Sequence, residues 1–227
     1  MKVLCVAAHP DDEVLGAGGT LAKHVAEGDE VEVFLLSDGA MARFETETEA
    51  AAERRAERRA EAAAAGDILG VSDVTVLDYW GNQLDDVPLI DVVRDVESKI
   101  DAFRPDVIYT HHYGDLNVDH ELVARAVRTA ARPTVGSPVD RVLSFETLSA
   151  TEWGMPSPDN AFQPTTFVDI DEYLERKMAA IDAYESEMRE RPHPRSTEAI
   201  RNNATVWGDK SGLFAAEPFE LLVERRR

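Results

Sequence analysis

Short apolar runs alternate with helix-forming polar stretches along this chain. Residues 3–7, 31–36, 74–77, 107–110 and 142–145 are rich in Val, Leu, Ile and Phe and are bounded by turn residues, so each reads as a buried strand. Residues 167–170 read as one more. Helices are expected at 20–27, 91–103 and 122–131. A further helix is expected at 45–65, which is almost wholly Glu, Arg and Ala, with Gly66 breaking the run. Residues 171–191 read as an amphipathic helix that stops before Pro192. The alternation predicts an α/β fold with a mainly parallel sheet and helices on both faces. Residues 150–165 read as a loop over the site, and 192–215 as irregular. Neither breaks the pattern as a linker would, so a single domain over 1–227 is expected.

Chemistry gathers where two of these strands end. The first apolar run leads into Ala8-His9-Pro10-Asp11-Asp12-Glu13. That places four ionisable groups at the carboxyl edge of a sheet, where open α/β sheets bind ligands. His9 and Asp12 reach one cation if the chain turns between them, and Pro10 helps to set that turn. Asp11 then lies beside the cation as a base, the equipment of metal-assisted hydrolysis. A second cluster, Thr110-His111-His112-Tyr113-Gly114-Asp115-Leu116-Asn117-Val118-Asp119-His120, follows the strand at 107–110. One histidine from this loop would complete a three-ligand site with an open position, the pattern of catalytic zinc. Taken alone, the first cluster also reads as a helix N-cap with solvated acids, and His111 and His112 as packing residues.

Composition narrows the partners. The chain has 24 basic and 44 acidic residues among 227, a formal charge of −20, and 44% hydrophobic residues. Such a surface repels nucleic acid and anionic membranes. Its acidity suggests a halophilic cytoplasm, where salt screens self-repulsion. No apolar run approaches the roughly 20 residues that span a bilayer. No signal-peptide core precedes the first strand, so a cytoplasmic location is expected. The single cysteine, Cys5, lies in the first apolar run and reads as a buried, inert thiol. Gly16-Ala17-Gly18-Gly19 raises a dinucleotide-binding alternative, but the glycines come late and acids fill the turn where a pyrophosphate would sit.

Residues 8–13 in this setting resemble the signature of the PIG-L/LmbE-like de-N-acetylase family. The segment 115–120 resembles its second motif, and Arg58-Arg59-Ala60-Glu61 its Arg-x-x-Glu helix. Residues 183–187, Gly208, Gly212 and 216–219 resemble C-terminal features of bacterial and archaeal members. The resemblance implies a Rossmann-like fold and a Zn2+ site, or another divalent metal, held by His9, Asp12 and His120, with Asp11 as general base. It makes Arg58 a substrate contact, against the plainer reading of a solvated helix face. Two positions depart from the family pattern. Asn117 stands where many members have a histidine able to act as acid or oxyanion donor. Gly81 stands where many carry an acidic substrate-binding residue, leaving Asp78 or Asn82 to serve.

The expected activity is removal of an acetyl group from an N-acetylated amino sugar or glycoconjugate of the N-acetylglucosamine type. The alternatives are an amidase acting on a sugar-thiol conjugate and a non-catalytic metal- or dinucleotide-binding protein. Asp11 would act as base and then acid. Asn117 is a candidate oxyanion donor, since an amide donates a hydrogen bond but not a proton. Asp119 would orient a ligand or contact substrate. His193, in Pro192-His193-Pro194-Arg195-Ser196, is a second candidate acid, and in a homo-oligomer it would serve a neighbouring copy's site.

Overall fold

The computed structural model describes residues 1–40, 46 and 48–226. Strand β1 (Lys2–Ala7) is followed by α1 (Asp12–Ala26), β2 (Glu30–Ser37), α2 (Glu49–Leu69) and β3 (Asp73–Tyr79). Next come α3 (Leu89–Phe103), β4 (Val107–His111), α4 (Val118–Ala130), β5 (Arg141–Phe145) and β6 (Thr166–Asp169). The chain ends with α5 (Leu174–Asp182), α6 (Thr197–Ser211) and β7 (Ala216–Glu224). The strands form one sheet in the order β3-β2-β1-β4-β5-β7-β6. The first five are parallel, and β7 runs antiparallel to both β5 and β6.

Strand periodicity explains why β1 is apolar from Val3 onward. Val3, Cys5 and Ala7 enter one apolar cluster, while Leu4, Val6 and Ala8 enter another. Successive side chains point to opposite faces, and both faces are covered. Leu21, Leu69, Ile181 and Ala204 bring α1, α2, α5 and α6 onto the first face. Val96 and Val127 bring α3 and α4 onto the second. The mainly parallel sheet with helices on both faces is therefore present. Its strand order reverses between β1 and β4, which opens the crevice where such sheets bind ligands. Among the described residues no helix is long and apolar enough to cross a membrane.

Five segments differ from the sequence pattern. Helix α1 starts at Asp12, not residue 20, and runs straight through its glycines. A Cβ on Gly16 would stand 2.1 Å from the Phe145 ring, and one on Gly19 2.8 Å from Ile170. These glycines let the helix press onto the sheet and onto Ile170, and they form no phosphate turn. Helix α2 continues past Gly66, where a Cβ would meet Val74 at 2.4 Å, and stops at Gly70, whose φ is 83°. Of the expected start at 45–48, residues 45 and 47 lie outside the described residues, and Thr48 is the N-cap. The helix expected over 171–191 is α5 alone, followed by a separate turn at Glu185–Glu187. That break turns Tyr184 inward to Glu13, and Glu187 to Arg54. Residues 192–215 hold an unexpected helix, α6, capped by Ser196, whose hydroxyl accepts the Ala199 N–H at 3.2 Å. Strand β7 lay outside the pattern as well, because Pro218 sits within a central strand.

One buried ion pair ties the end of the chain to its beginning. Lys177 on α5 donates to Glu217 Oε1 on β7 at 2.6 Å and to the Leu15 carbonyl at 2.9 Å. The same carboxylate accepts the N–H groups of Gly19 and Thr20, in the middle of α1, at 2.9 and 2.7 Å. Both side chains are almost fully buried. Removing one partner leaves a charge without compensation in a dry interior. Lys177→Met is therefore expected to lower unfolding free energy by about 3–5 kcal/mol. Lys177→Met/Glu217→Gln should recover part of that loss, as read from urea denaturation.

Candidate active site

The loops that follow β1 and β4 meet because these strands are parallel neighbours. They bring His9, Asp12 and His120 together, with one ligand atom from each lying within 4.8 Å of the others. A tight turn presets the first pair. The Asp12 N–H donates to the His9 carbonyl at 3.3 Å, and the His9 N–H donates to Asp12 Oδ2 at 2.9 Å. Asp12 Oδ2 stands 3.2 Å from His9 Nδ1 and 3.2 Å from His120 Nε2. His120 occupies the first turn of α4, whose N-cap Asn117 accepts the Asp119 N–H at 2.9 Å.

Each imidazole has a carboxylate behind it. His9 Nε2 lies 2.9 Å from Asp119 Oδ2, and His120 Nδ1 lies 3.2 Å from Asp115 Oδ1. Asp119 is held in turn by the N–H groups of Asn82 at 2.6 Å and Leu84 at 3.1 Å. Such partners fix ring orientation and raise ligand basicity. Asp119 thus orients His9 and pins the loop after β3 to the site.

The donor set fits a divalent cation. Asp12 Oδ1 and both His120 ring nitrogens are buried without a well-formed hydrogen bond, and polar atoms so placed need a partner. Two imidazoles and a carboxylate with an open position suit zinc. Without a cation, protons do its work. Burial opposes charge on His9, but hydrogen bonds to Asp119 and Asp12 raise it to about 9. Burial likewise opposes charge on His120, yet Asp12 and Asp115 raise it to about 10. Asp12 goes the other way. Burial favours its neutral form, and the neighbouring His120 and His111 outweigh that and hold it well below the carboxylate range. A second trio, His24, Glu27 and Asp29, lies at the opposite sheet edge. There the imidazole is already engaged, at 2.7 Å from Asp29 and 3.0 Å from the Tyr109 hydroxyl.

Asp11 precedes α1 with φ at 101°, a conformation costly for a residue with a side chain. Its carboxylate does not cap the helix and lines the cavity instead. The turn is held by Glu13, whose Oε2 accepts the Asp11 N–H at 3.1 Å and whose Oε1 accepts the Tyr184 hydroxyl. Burial raises Glu13 to about 8, against the hydrogen bond from Tyr184. Burial also raises Asp11 to about 6, opposed by Arg195, whose Nη1 donates to its Oδ2 at 2.8 Å. Arg58 is buried, donates to the Pro10 carbonyl and to Glu61 at 2.6 Å, and lies over the Tyr184 ring. It braces the turn and is no solvated face.

The cavity encloses about 160 Å³ and is lined by His9, Asp11, Gly39, Arg58, Asn82, Asn117, Glu187 and Arg195. His193 is not among the lining residues. Its ring packs edge-on against Trp153, and its Nδ1 accepts the Arg195 N–H at 3.1 Å. No residue of 150–165 lines the cavity either. That loop covers the neighbouring His112, which lies 2.8 Å from the Asn160 carbonyl and 2.8 Å from Glu220. His111 accepts the Ala8 N–H at 2.9 Å and is pushed down to about 3 by burial and by His120. Both are packing residues. Arg195 escaped the sequence pattern because it lies in a segment without periodicity, and Glu187 because it falls within the stretch read as a continuous amphipathic helix.

The two unusual positions prove to be linked. A Cβ on Gly81 would stand 2.8 Å from Gly39 Cα, so no acidic side chain fits that backbone. Asn82 takes the place in the cavity, at φ 58°. Its Oδ1 accepts Asn117 Nδ2 at 2.9 Å, and Asn117 Oδ1 is committed to the Asp119 N–H. The amides are therefore oriented, leaving Asn82 Nδ2 and the second Asn117 N–H to face an acceptor. Asp78, the other candidate, is exposed and pairs with Arg55 and Arg59 at 2.7 and 2.8 Å. Gly81→Ala is expected to cost about 1–3 kcal/mol by overpacking, read by thermal unfolding, and to lower activity by displacing Asn82.

Residues 4–131 match the GlcNAc-PI de-N-acetylase (PIG-L) family. Over 230 residues the chain is 28% identical to the diacetylchitobiose deacetylase of Thermococcus kodakarensis, covering 95% of this chain and 81% of that protein. Over 192 residues it is 30% identical to the 4-oxalmesaconate hydratase of Pseudomonas putida, covering 79% of this chain and 71% of that one. The fold superposes on N,N'-diacetylchitobiose deacetylase from Pyrococcus horikoshii with a TM-score of 0.79 and 24% identity, covering 98% of this chain and 84% of that one. With the family match spanning more than half of its length, the chain belongs to the PIG-L family.

Proposed function

We propose that the chain is a single-domain, metal-dependent hydrolase that removes the acetyl group from an N-acetylglucosamine-type sugar or small glycan. The observation that carries this is the trio His9, Asp12 and His120, with unsatisfied atoms on the buried Asp12 and His120, beside the carboxylate of Asp11 in a polar cavity. His9, Asp12 and His120 would hold a divalent cation, zinc by the chemistry of its donors, which when bound would supply a water of lowered pKa and Lewis-acid character toward the acyl oxygen. Asp11 takes a proton from the water as it attacks the acyl carbon. Asn117 and Asn82 offer N–H groups to polar oxygens of the substrate. Asp11, now protonated, passes its proton to the departing amine, and acetate and the free amino sugar leave.

A second reading is hydration of a carbon–carbon double bond, favoured by the identity to the hydratase. Acetate release separates the two. The purified protein, supplied with Zn2+, is expected to bind about one metal ion per chain and to release acetate from N-acetylglucosamine or diacetylchitobiose. His9→Ala and His120→Ala should lose the metal. Asp11→Asn should keep it and lose activity by several orders of magnitude. A folded protein that binds no metal, or an Asp11→Asn variant as active as wild type, would overturn the assignment.

The net charge of −20 fits a halophilic cytoplasm. On that reading Tm rises as KCl goes from about 0.1 M to 1 M, where the Debye length shortens from about 10 Å to 3 Å. A Tm that stays level or falls would exclude it.

A further inference from the structure

We infer that Arg195 is a positioning residue that selects which oxygen of Asp11 receives the proton; this rests on the hydrolase reading with Asp11 as base. A carboxylate has two equivalent oxygens and a soft terminal torsion, so a lone aspartate does not hold one of them on a reacting atom. Here the symmetry is broken. Arg195 Nη1 donates to Oδ2 at 2.8 Å, and Arg58 Nη2 stands 3.7 Å from the same oxygen. Among the described residues no hydrogen bond reaches Oδ1, so that oxygen is left for the water.

Arg195 is itself fixed from three sides. Its Nε donates to Ser149 Oγ at 2.8 Å. Its backbone N–H donates to His193 Nδ1 at 3.1 Å, and its carbonyl accepts the Arg189 N–H at 3.2 Å. Ser149 sits at φ 69°, with its N–H donating to Glu152 at 2.7 Å. The His193 ring rests against Trp153 with centroids 5.6 Å apart. The loops after β5 and before α6 thus converge on one guanidinium. His193 is a strut in this scaffold, its Nδ1 lone pair committed to a backbone N–H.

The proton account closes without Arg195 giving up a proton. An O–H bond of the water breaks, its proton goes to Asp11 Oδ1, and its electron pair forms the bond to the acyl carbon while the C=O π pair moves onto the acyl oxygen. Later the oxygen pair re-forms the C=O bond, the C–N electron pair leaves with the amine, and the Oδ1–H bond breaks as its proton goes to that nitrogen. Through both transfers Oδ2 stays on Arg195.

Arg195→Met, Arg195→Lys and Ser149→Ala test this beside Asp11→Asn, with acetate release, metal content and crystal structures as readouts. A misplaced base costs roughly 100-fold in rate. Arg195→Met is expected to lower kcat by roughly that factor with KM nearly unchanged and metal content intact. Sub-denaturing guanidinium chloride should restore part of the rate, and Arg195→Lys should retain part of it. The crystal structure of Arg195→Met should show the Asp11 carboxylate rotated. A raised KM with unchanged kcat would make Arg195 a substrate ligand and overturn the inference. So would a kcat loss that neither guanidinium nor Arg195→Lys relieves, with Asp11 unmoved. Acetate release that depends on Asp11 but survives Arg195→Met sinks this inference alone. A wild type without Asp11-dependent release sinks the hydrolase reading too.

Discussion

The site is organised by buried carboxyl groups. Asp11, Asp12, Glu13, Asp115 and Asp119 are all buried within a few residues of the ends of β1 and β4. Isolated carboxylates are costly in such surroundings and persist only when paired or hydrogen-bonded. Each has its own answer. Asp119 takes two backbone N–H groups and an imidazole, Asp11 a guanidinium, and Glu13 a tyrosine hydroxyl and a backbone N–H. Asp12 is answered by two imidazoles, of which that of His120 is itself short of partners, and its own Oδ1 has none. A cation at that point meets the remaining need, so the pull toward metal is a property of the whole cluster rather than of three ligands.

The strained backbone at Asp11 follows from the same requirement. A helix that began in the ordinary way would turn this side chain back to cap its own N–H groups. With φ at 101° the carboxylate is released from capping, and the hydrogen bond from its N–H to Glu13 holds the turn open. Arg58 closes the far side by gripping the Pro10 carbonyl. Residues 58 and 184 therefore support a turn to which they have no sequence proximity.

What could be read from the sequence was local. The strand at 3–7 and the polar residues after it announce themselves, because an apolar run covered on both faces has no other use for His, Asp and Asp at its end. The loop at 110–120 is similarly legible. Gly16, Gly18 and Gly19 were misleading. Local propensity treats glycine as a helix breaker, whereas close approach to Phe145 and Ile170 is a tertiary fact. Arg195 and β7 were hidden for a related reason. The value of residue 195 lies in a carboxylate 184 positions away, and Pro218 disguises a strand held between two others. Gly81 and Asn117 looked like two separate losses in the sequence, and the Asn82–Asn117 contact joins them into one rearranged wall.

The Lys177–Glu217 pair has a consequence for the order of assembly. Glu217 binds α1 across a separation of 198 residues. The helix that opens with Asp12 thus receives the partner for its middle from β7, far along the chain. Contacts of such long range form late, since loop closure precedes any return from them. During folding α1 would therefore stay incompletely docked until β7 lies between β5 and β6. The helix that starts at Asp12 is in this sense fully seated only when β7 is in place.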